Sequence, residues 1–171
     1  VLNGLLMGEL VASWAHTEPH PNDALGTITA TLTASGDAYT LSGVKSPVEQ
    51  GAQASHFLVT ALAEGQPTQV VIAADAAGVS IKPMNTVDLT RRFAEVTFDN
   101  TPVAAVDVVG SVGGAADDIE YQTQVAAVIQ VNEMVGAMDK ALDITVEWAF
   151  DRYSFGRPLA SYQELKHRFA D

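Results

Sequence analysis

Gly110-Ser111-Val112-Gly113-Gly114 divides this 171-residue chain into two textures, and that division decides the fold. Upstream of it, short β-prone runs recur: Thr27-Ile-Thr-Ala-Thr-Leu-Thr33, Tyr39-Thr-Leu-Ser42, Phe57-Leu-Val-Thr-Ala-Leu62, Gln69-Val-Val-Ile-Ala73, Val79-Ser-Ile-Lys82 and Phe93-Ala-Glu-Val-Thr-Phe98. Turn formers separate them at Ser35-Gly36-Asp37, Gly65-Gln-Pro67, Ala77-Gly78 and Asp99-Asn100-Thr-Pro102. With no helical crossover between them, these runs predict an antiparallel β-sandwich or barrel rather than a Rossmann-type sheet. Downstream, Val125, Val128, Ile129, Val131, Val135, Met138, Leu142 and Trp148 recur mostly at three- and four-residue steps, which predicts a helix over about 118–153. Some 35 helical residues span roughly 50 Å and need partners on more than one face.

The expected fold class is therefore α+β. An antiparallel β-sandwich or barrel domain over 13–109 is followed, over 110–171, by the long α-helices of a truncated helical bundle. The stripe Leu2, Leu5, Leu6, Leu10 reads as the end of an N-terminal helical domain over 1–12, itself cut short. Ser161-x-x-Glu164 has the form of a capping box opening a further helix, which the chain enters but does not complete.

Nine Lys and Arg against 21 Asp and Glu give a net charge of −12, which argues against nucleic acid and against anionic membranes as partners. A local cluster survives this balance: Arg152, Arg157, Lys166 and Arg168, with His167, crowd into the last twenty residues. No cysteine is present, so disulfides, thiolate metal sites and cysteine nucleophiles are excluded. No apolar run approaches the roughly 18 residues of a membrane span. Together these features fit a cytoplasmic protein. His16-x-Glu18-x-His20 alternates along one strand face, but Pro19 interrupts it and no metal site is expected. Gly110-x-x-Gly113-Gly114 lacks the Lys-Ser/Thr of a phosphate loop and reads as a hinge.

Four stretches carry a resemblance, in order, across nearly the whole chain. They are Trp14-Ala-His16-Thr17-Glu18-Pro19, Tyr39-Thr-Leu-Ser-Gly43-Val-Lys45, Ala94-Glu-Val-Thr-Phe98-Asp-Asn-Thr-Pro-Val103, and Arg152-x-x-Phe155-Gly156-Arg-Pro158 with Gln163. This set resembles the acyl-CoA dehydrogenases, flavoproteins that desaturate acyl-CoA thioesters. The resemblance implies FAD as cofactor, a homo- or hetero-tetramer built as a dimer of dimers, and an electron-accepting flavoprotein as partner. It further implies that His16 and Thr17 lie along the isoalloxazine beside Trp14, with Thr17 donating to the pyrimidine end. Arg152, Phe155 and Gln163 would reach the pyrophosphate and adenine of a neighbouring subunit's FAD. Other readings stay open at this point: Arg152 as a cation favoured by a helix C-terminus, Phe155 as a core residue that turns the chain, Thr17 as a plain strand residue.

The pattern also departs from the family. Pro47 and Glu49 stand where a flavin-stacking Trp and its hydrogen-bonding neighbours are usual, and are retained as candidate cofactor contacts. Glu49 brings an anion towards a group that must accept hydride. His20-Pro21-Asn22-Asp23 replaces a small glycine loop near the substrate, leaving Asp23 as a candidate substrate contact. Ala126 and Ala127 occupy the positions of an alternative base and a substrate-facing Arg. The common catalytic Glu is expected beyond Asp171, so no catalytic residue is assigned and the isolated chain is expected to be inactive. Two other expectations stand beside the dehydrogenase. One is a non-catalytic partner subunit of a hetero-oligomer; the other is an oxygen-using oxidase or monooxygenase on the same scaffold.

Overall fold

The computed structural model describes residues 1–19 and 27–170. A short helix, α1 (Leu2–Leu6), precedes strand β1 (Ala12–Ala15). It stops before Leu10 because Gly8 takes a left-handed backbone, φ 72°. Strands β2 (Thr31–Ser35), β3 (Ala38–Glu49), β4 (His56–Ala63), β5 (Gln66–Ala73), β6 (Val79–Pro83), β7 (Phe93–Val103) and β8 (Val108–Val109) complete one eight-stranded sheet. Its order is β6-β7-β3-β2-β4-β5-β8, with β1 paired to β4. The expected α+β class is what the chain adopts. Most pairs are antiparallel, but β1 and β2 both run parallel to β4, so the sheet is mixed.

The sheet closes over its own core. In the strand order, β7 and β4 are separated by β3 and β2, which in a flat sheet puts them about 14 Å apart. Phe98 of β7 and Phe57 of β4 nevertheless meet edge to face, with ring centroids 6.3 Å apart. Leu32, Leu41, Val48, Val59, Val70, Ile72, Val96 and Val103 fill the space around them. The alternation that made these runs legible as strands is the alternation that aims these side chains inward.

Gly43 is where the close packing is least forgiving. It sits at a register shift between β3 and β7 with φ 152°, and a Cβ there would lie 2.6 Å from Ala30 Cβ and 2.8 Å from Ala30 Cα. Ala30 is fully buried and cannot retreat. Gly43→Ala is therefore expected to cost about 1–3 kcal/mol, read as a lower urea midpoint with unchanged slope.

By its contacts the chain divides into two compact units, the first running to Ile119 and the second beginning at Glu120. Helix α2 (Ala116–Asp151) opens with Asp117 and Asp118 in its first turn, where the helix dipole favours anions. Ala149 is its one buried residue, and Val128, Ile129, Met138 and Trp148 are exposed. A two-stranded hairpin follows, β9 (Tyr153–Ser154) with β10 (Arg157–Pro158), then a 3-10 turn at Leu159–Ser161 and α3 (Gln163–Ala170). Ser161 does not cap α3 as its spacing predicts. Its hydroxyl donates back to the Pro158 carbonyl at 2.7 Å, closing the 3-10 turn instead. No helix among the described residues is long and apolar enough to cross a membrane.

Candidate functional site

In the first unit the candidate residues gather along β1 and the second half of β3. Trp14 on β1 and His16, the residue just past its end, are two apart, and their rings lie 4.7 Å apart at 35°. Both reach Thr60 on β4, a fully buried residue. Trp14 Nε1 donates to Thr60 Oγ1 at 3.2 Å, and His16 Nδ1 lies 3.1 Å from the same oxygen. Burial lowers the His16 pKa, and the Lys45 ammonium lowers it further against the opposing pull of Glu18. Thr17 is half-buried; its carbonyl accepts from Ser46 N at 2.9 Å. Its hydroxyl engages no partner among the described residues.

Behind this edge lies an ion pair that the sequence did not announce. Lys45 Nζ and Glu18 Oε1 are 2.6 Å apart, with side chains 0% and 1% exposed. Glu18 also accepts from Thr29 N at 2.8 Å, from the Thr29 hydroxyl, and from Ala30 N at 3.0 Å. Lys45 donates as well to the His16 carbonyl at 3.1 Å. Burial pulls the Glu18 pKa up, but the Lys45 hydrogen bond, Thr29, Ala30 and the Lys45 charge outweigh it, leaving the carboxyl below its ordinary value. Burial pulls the Lys45 pKa down, and Glu18 opposes it only in part. The short contact and four donors on the carboxylate leave no room for a carboxylic proton, so Glu18 is the anion of the pair. The Glu of Thr17-Glu18-Pro19 and the Lys of Gly43-Val-Lys45 are thus one structural element. It holds the end of β1 and the residues His16 and Thr17 that follow it against β3.

Pro47 and Glu49 are both exposed, on the face of β3 opposite the buried Ser46 and Val48. The Ser46–Pro47 peptide is cis. The Glu49 carbonyl accepts from the Ser13 hydroxyl, and its carboxylate lies 3.6 Å from Arg91. That guanidinium offsets the anion whose place beside a hydride acceptor looked unfavourable. Asp23, the candidate substrate contact, lies outside the described residues, as does His20.

In the second unit Arg152 precedes the β9–β10 hairpin, Phe155 sits in its loop, and Gln163 opens α3 beyond it. Phe155 and Gly156 form its two-residue loop with φ 49° and 78°, the pattern of a type I′ turn. Such a turn favours Asn or Asp followed by Gly, and a left-handed Phe is strained. Phe155 gains nothing locally for this, being 96% exposed. The core-residue reading of Phe155 therefore fails. Tyr162, unmarked in the sequence, locks the hairpin: its hydroxyl donates to the Ser154 carbonyl at 2.8 Å, and Arg157 stacks 3.9 Å over its ring. Leu159 N donates to the Arg152 carbonyl at 2.8 Å and closes the base. The Arg152 guanidinium, one residue beyond α2, has no ion-pair partner among the described residues. Gln163 is exposed, with Nε2 3.5 Å from His167 Nε2. Phe155→Asn should stabilise the chain by about 1 kcal/mol through relief of the turn, visible as a higher urea midpoint.

A mixed eight-stranded sheet followed by a long helix and a strained hairpin defines a two-unit α+β protein. Comparison with known proteins identifies its family. A family model described as acyl-CoA dehydrogenase, C-terminal domain, matches residues 117–171. The acyl-CoA dehydrogenase IpdE2 of Mycobacterium tuberculosis is 31% identical over 159 residues, covering 88% of this chain and 46% of that protein. Its counterpart in Mycolicibacterium smegmatis is 36% identical over 113 residues, covering 63% of this chain and 32% of that protein. The structure of butyryl-CoA dehydrogenase from Megasphaera elsdenii matches with a TM-score of 0.86 and 26% identity, over 99% of this chain and 46% of that one. The chain belongs to the acyl-CoA dehydrogenase family. It spans less than half the length of these relatives.

Proposed function

We propose that this chain serves α,β-desaturation of an acyl-CoA thioester, as part of an FAD-dependent acyl-CoA dehydrogenase, and that it contributes to FAD sites from two sides. The observation that carries this reading is the hairpin: a strained, almost fully exposed Phe155, three residues after Arg152, whose guanidinium has no ion-pair partner among the described residues. Phe155 buries nothing in its own chain and Arg152 makes no ion pair among the described residues, and both suit a bound ligand, an aromatic face for a base and a planar cation for phosphate oxygens. At the end of β1 and just beyond it, the unengaged Thr17 hydroxyl and the half-buried Trp14–His16 pair suit the polar rim and apolar ring of a flavin. FAD, when bound, supplies the two-electron acceptor for the desaturation. The chain's own residues bind and orient: Thr17 donates to the ring, Arg152 and Gln163 hold the diphosphate of a neighbouring subunit's cofactor, and Phe155 covers its adenine.

Pro47 and Glu49 favour a second reading, a partner subunit that keeps the hairpin and has lost its own catalytic site. FAD content of recombinant protein carrying this chain, with anaerobic bleaching of the flavin band by acyl-CoA, tests both. One FAD per chain with bleaching supports the dehydrogenase. Less than one per chain, with turnover only beside a homologue, supports the partner subunit. Oxygen uptake during turnover points to an oxidase, and no FAD under any condition overturns the flavoprotein reading.

A further inference from the structure

His16 Nδ1 and Trp14 Nε1 both meet one hydroxyl, that of Thr60. The indole Nε1–H of Trp14 is a donor only, so its 3.2 Å contact makes Thr60 Oγ1 an acceptor. That hydroxyl still carries a proton, and Thr60 is fully buried on β4. Apart from the Trp14 nitrogen, which has no lone pair to give, the polar atom in reach of Oγ1 among the described residues is His16 Nδ1, at 3.1 Å. An unpartnered hydroxyl proton in that position would carry a desolvation penalty of about 1–3 kcal/mol. The satisfied arrangement therefore runs one way, Trp14 Nε1–H to Thr60 Oγ1 and Thr60 O–H to His16 Nδ1. Nδ1 is then an acceptor, and the imidazole proton sits on Nε2. The Lys45 ammonium, donating to the His16 carbonyl at 3.1 Å, disfavours a second proton on the ring. Among the described residues Nε2 meets no partner, so its N–H remains available one residue from the unengaged Thr17 hydroxyl.

We propose that Thr60 is a positioning residue that holds His16 as the neutral Nε2–H tautomer, so that His16 and Thr17 together offer two neutral donors to the flavin. This rests on the flavin site proposed above. A neutral donor binds a carbonyl or ring nitrogen without adding a fixed charge, and the ring beside Trp14 cannot turn over without stranding the Thr60 proton.

Nitrogen-15 long-range correlation spectra of the histidine rings test the first half without cofactor, with His16 assigned by its loss in His16→Gln. The wild-type chain should show the Nε2–H pattern at His16, Thr60→Val should lose it to a tautomer mixture, and Thr60→Ser should retain it. Titration with FAD tests the second half: Thr60→Val should weaken binding roughly three- to tenfold and shift the bound flavin's absorption band, with Thr60→Ser near wild type. If the wild type binds FAD but His16 is Nδ1–H, or Thr60→Val leaves tautomer and band unchanged, the inference is overturned and the flavin site stands. If the Nε2–H tautomer is found but no FAD binds, the flavin site falls, and with it the ligand half of the proposal. Thr60→Ser guards against a folding defect in the valine variant, because it keeps the hydroxyl and loses only a methyl group.

Discussion

Glu18→Gln should destabilise the first unit by about 3–5 kcal/mol, the cost of leaving one member of a buried ion pair alone. Lys45 is completely buried, and among the described residues Glu18 is its one carboxylate partner, at 2.6 Å. The amide keeps the shape of the carboxylate but removes the charge, leaving the ammonium in a low-dielectric interior. For a unit of this size the loss appears as a fall in Tm of about 10–20 °C. Glu18→Gln with Lys45→Met removes both charges and should recover most of the deficit, since an apolar replacement of a buried pair is often neutral or better. A double variant as unstable as the single one would show that the damage comes from lost contacts with Thr29 and Ala30 rather than from the stranded cation. The pH dependence has a definite sign. The folded Glu18 pKa lies below its unfolded value near 4.5, so its contribution is complete above that value and is lost as pH falls through the lower folded one. Wild type should lose stability through that acid window, and Glu18→Gln should show a shallower loss.

Arg152→Ala should weaken FAD binding about 10- to 100-fold, the range for losing a charge-assisted hydrogen bond to phosphate. The same change should leave the melting of the cofactor-free chain within about 0.5 kcal/mol, because the side chain is exposed and takes part in no ion pair among the described residues. That pairing of effects separates a ligand contact from a structural cation near a helix end. Because Arg152 is proposed to act on the neighbouring subunit's cofactor, a mixing experiment gives a sharper result. Oligomers reconstituted from Arg152→Ala and Thr17→Val chains should regain tight binding in one of two sites, although each parent binds poorly. No recovery on mixing would place both residues at the same chain's cofactor.

The division into strands and helices was legible because it depends on local periodicity. Turn formers fall every few residues before Gly110, and apolar three- and four-residue steps follow Gly114. What escaped the sequence depends on partners distant along the chain. Lys45 and Glu18 are 27 residues apart and look like surface charges until the fold brings them together. The parallel approach of β1 to β4 rests on register, which no local pattern encodes. Thr60 reads as ordinary strand filler in Phe57-Leu-Val-Thr60-Ala-Leu62, and only its buried contacts with Trp14 and His16 distinguish it. The apparent capping box at Ser161 failed for a local reason: the Pro158 carbonyl, three residues back, competes successfully for the hydroxyl. For the candidate site, the motifs pointed to residues that the fold arranges as two separate groups, one on β1 and β3 and one at the hairpin. Phe155 was marked by its motif, but its left-handed backbone and near-complete exposure appear only in three dimensions.

The Glu18–Lys45 pair also constrains how this sequence can diverge. Neither residue can drift alone without passing through an intermediate short of a sizeable part of the 5–15 kcal/mol that typically separates folded from unfolded chains. Both orders of replacement cross that valley, whether the acid or the base goes first, so the two sites should be inherited as one unit. Lineages that lose the pair would need a stabilising substitution elsewhere beforehand, and the strand it anchors would carry the history of that detour.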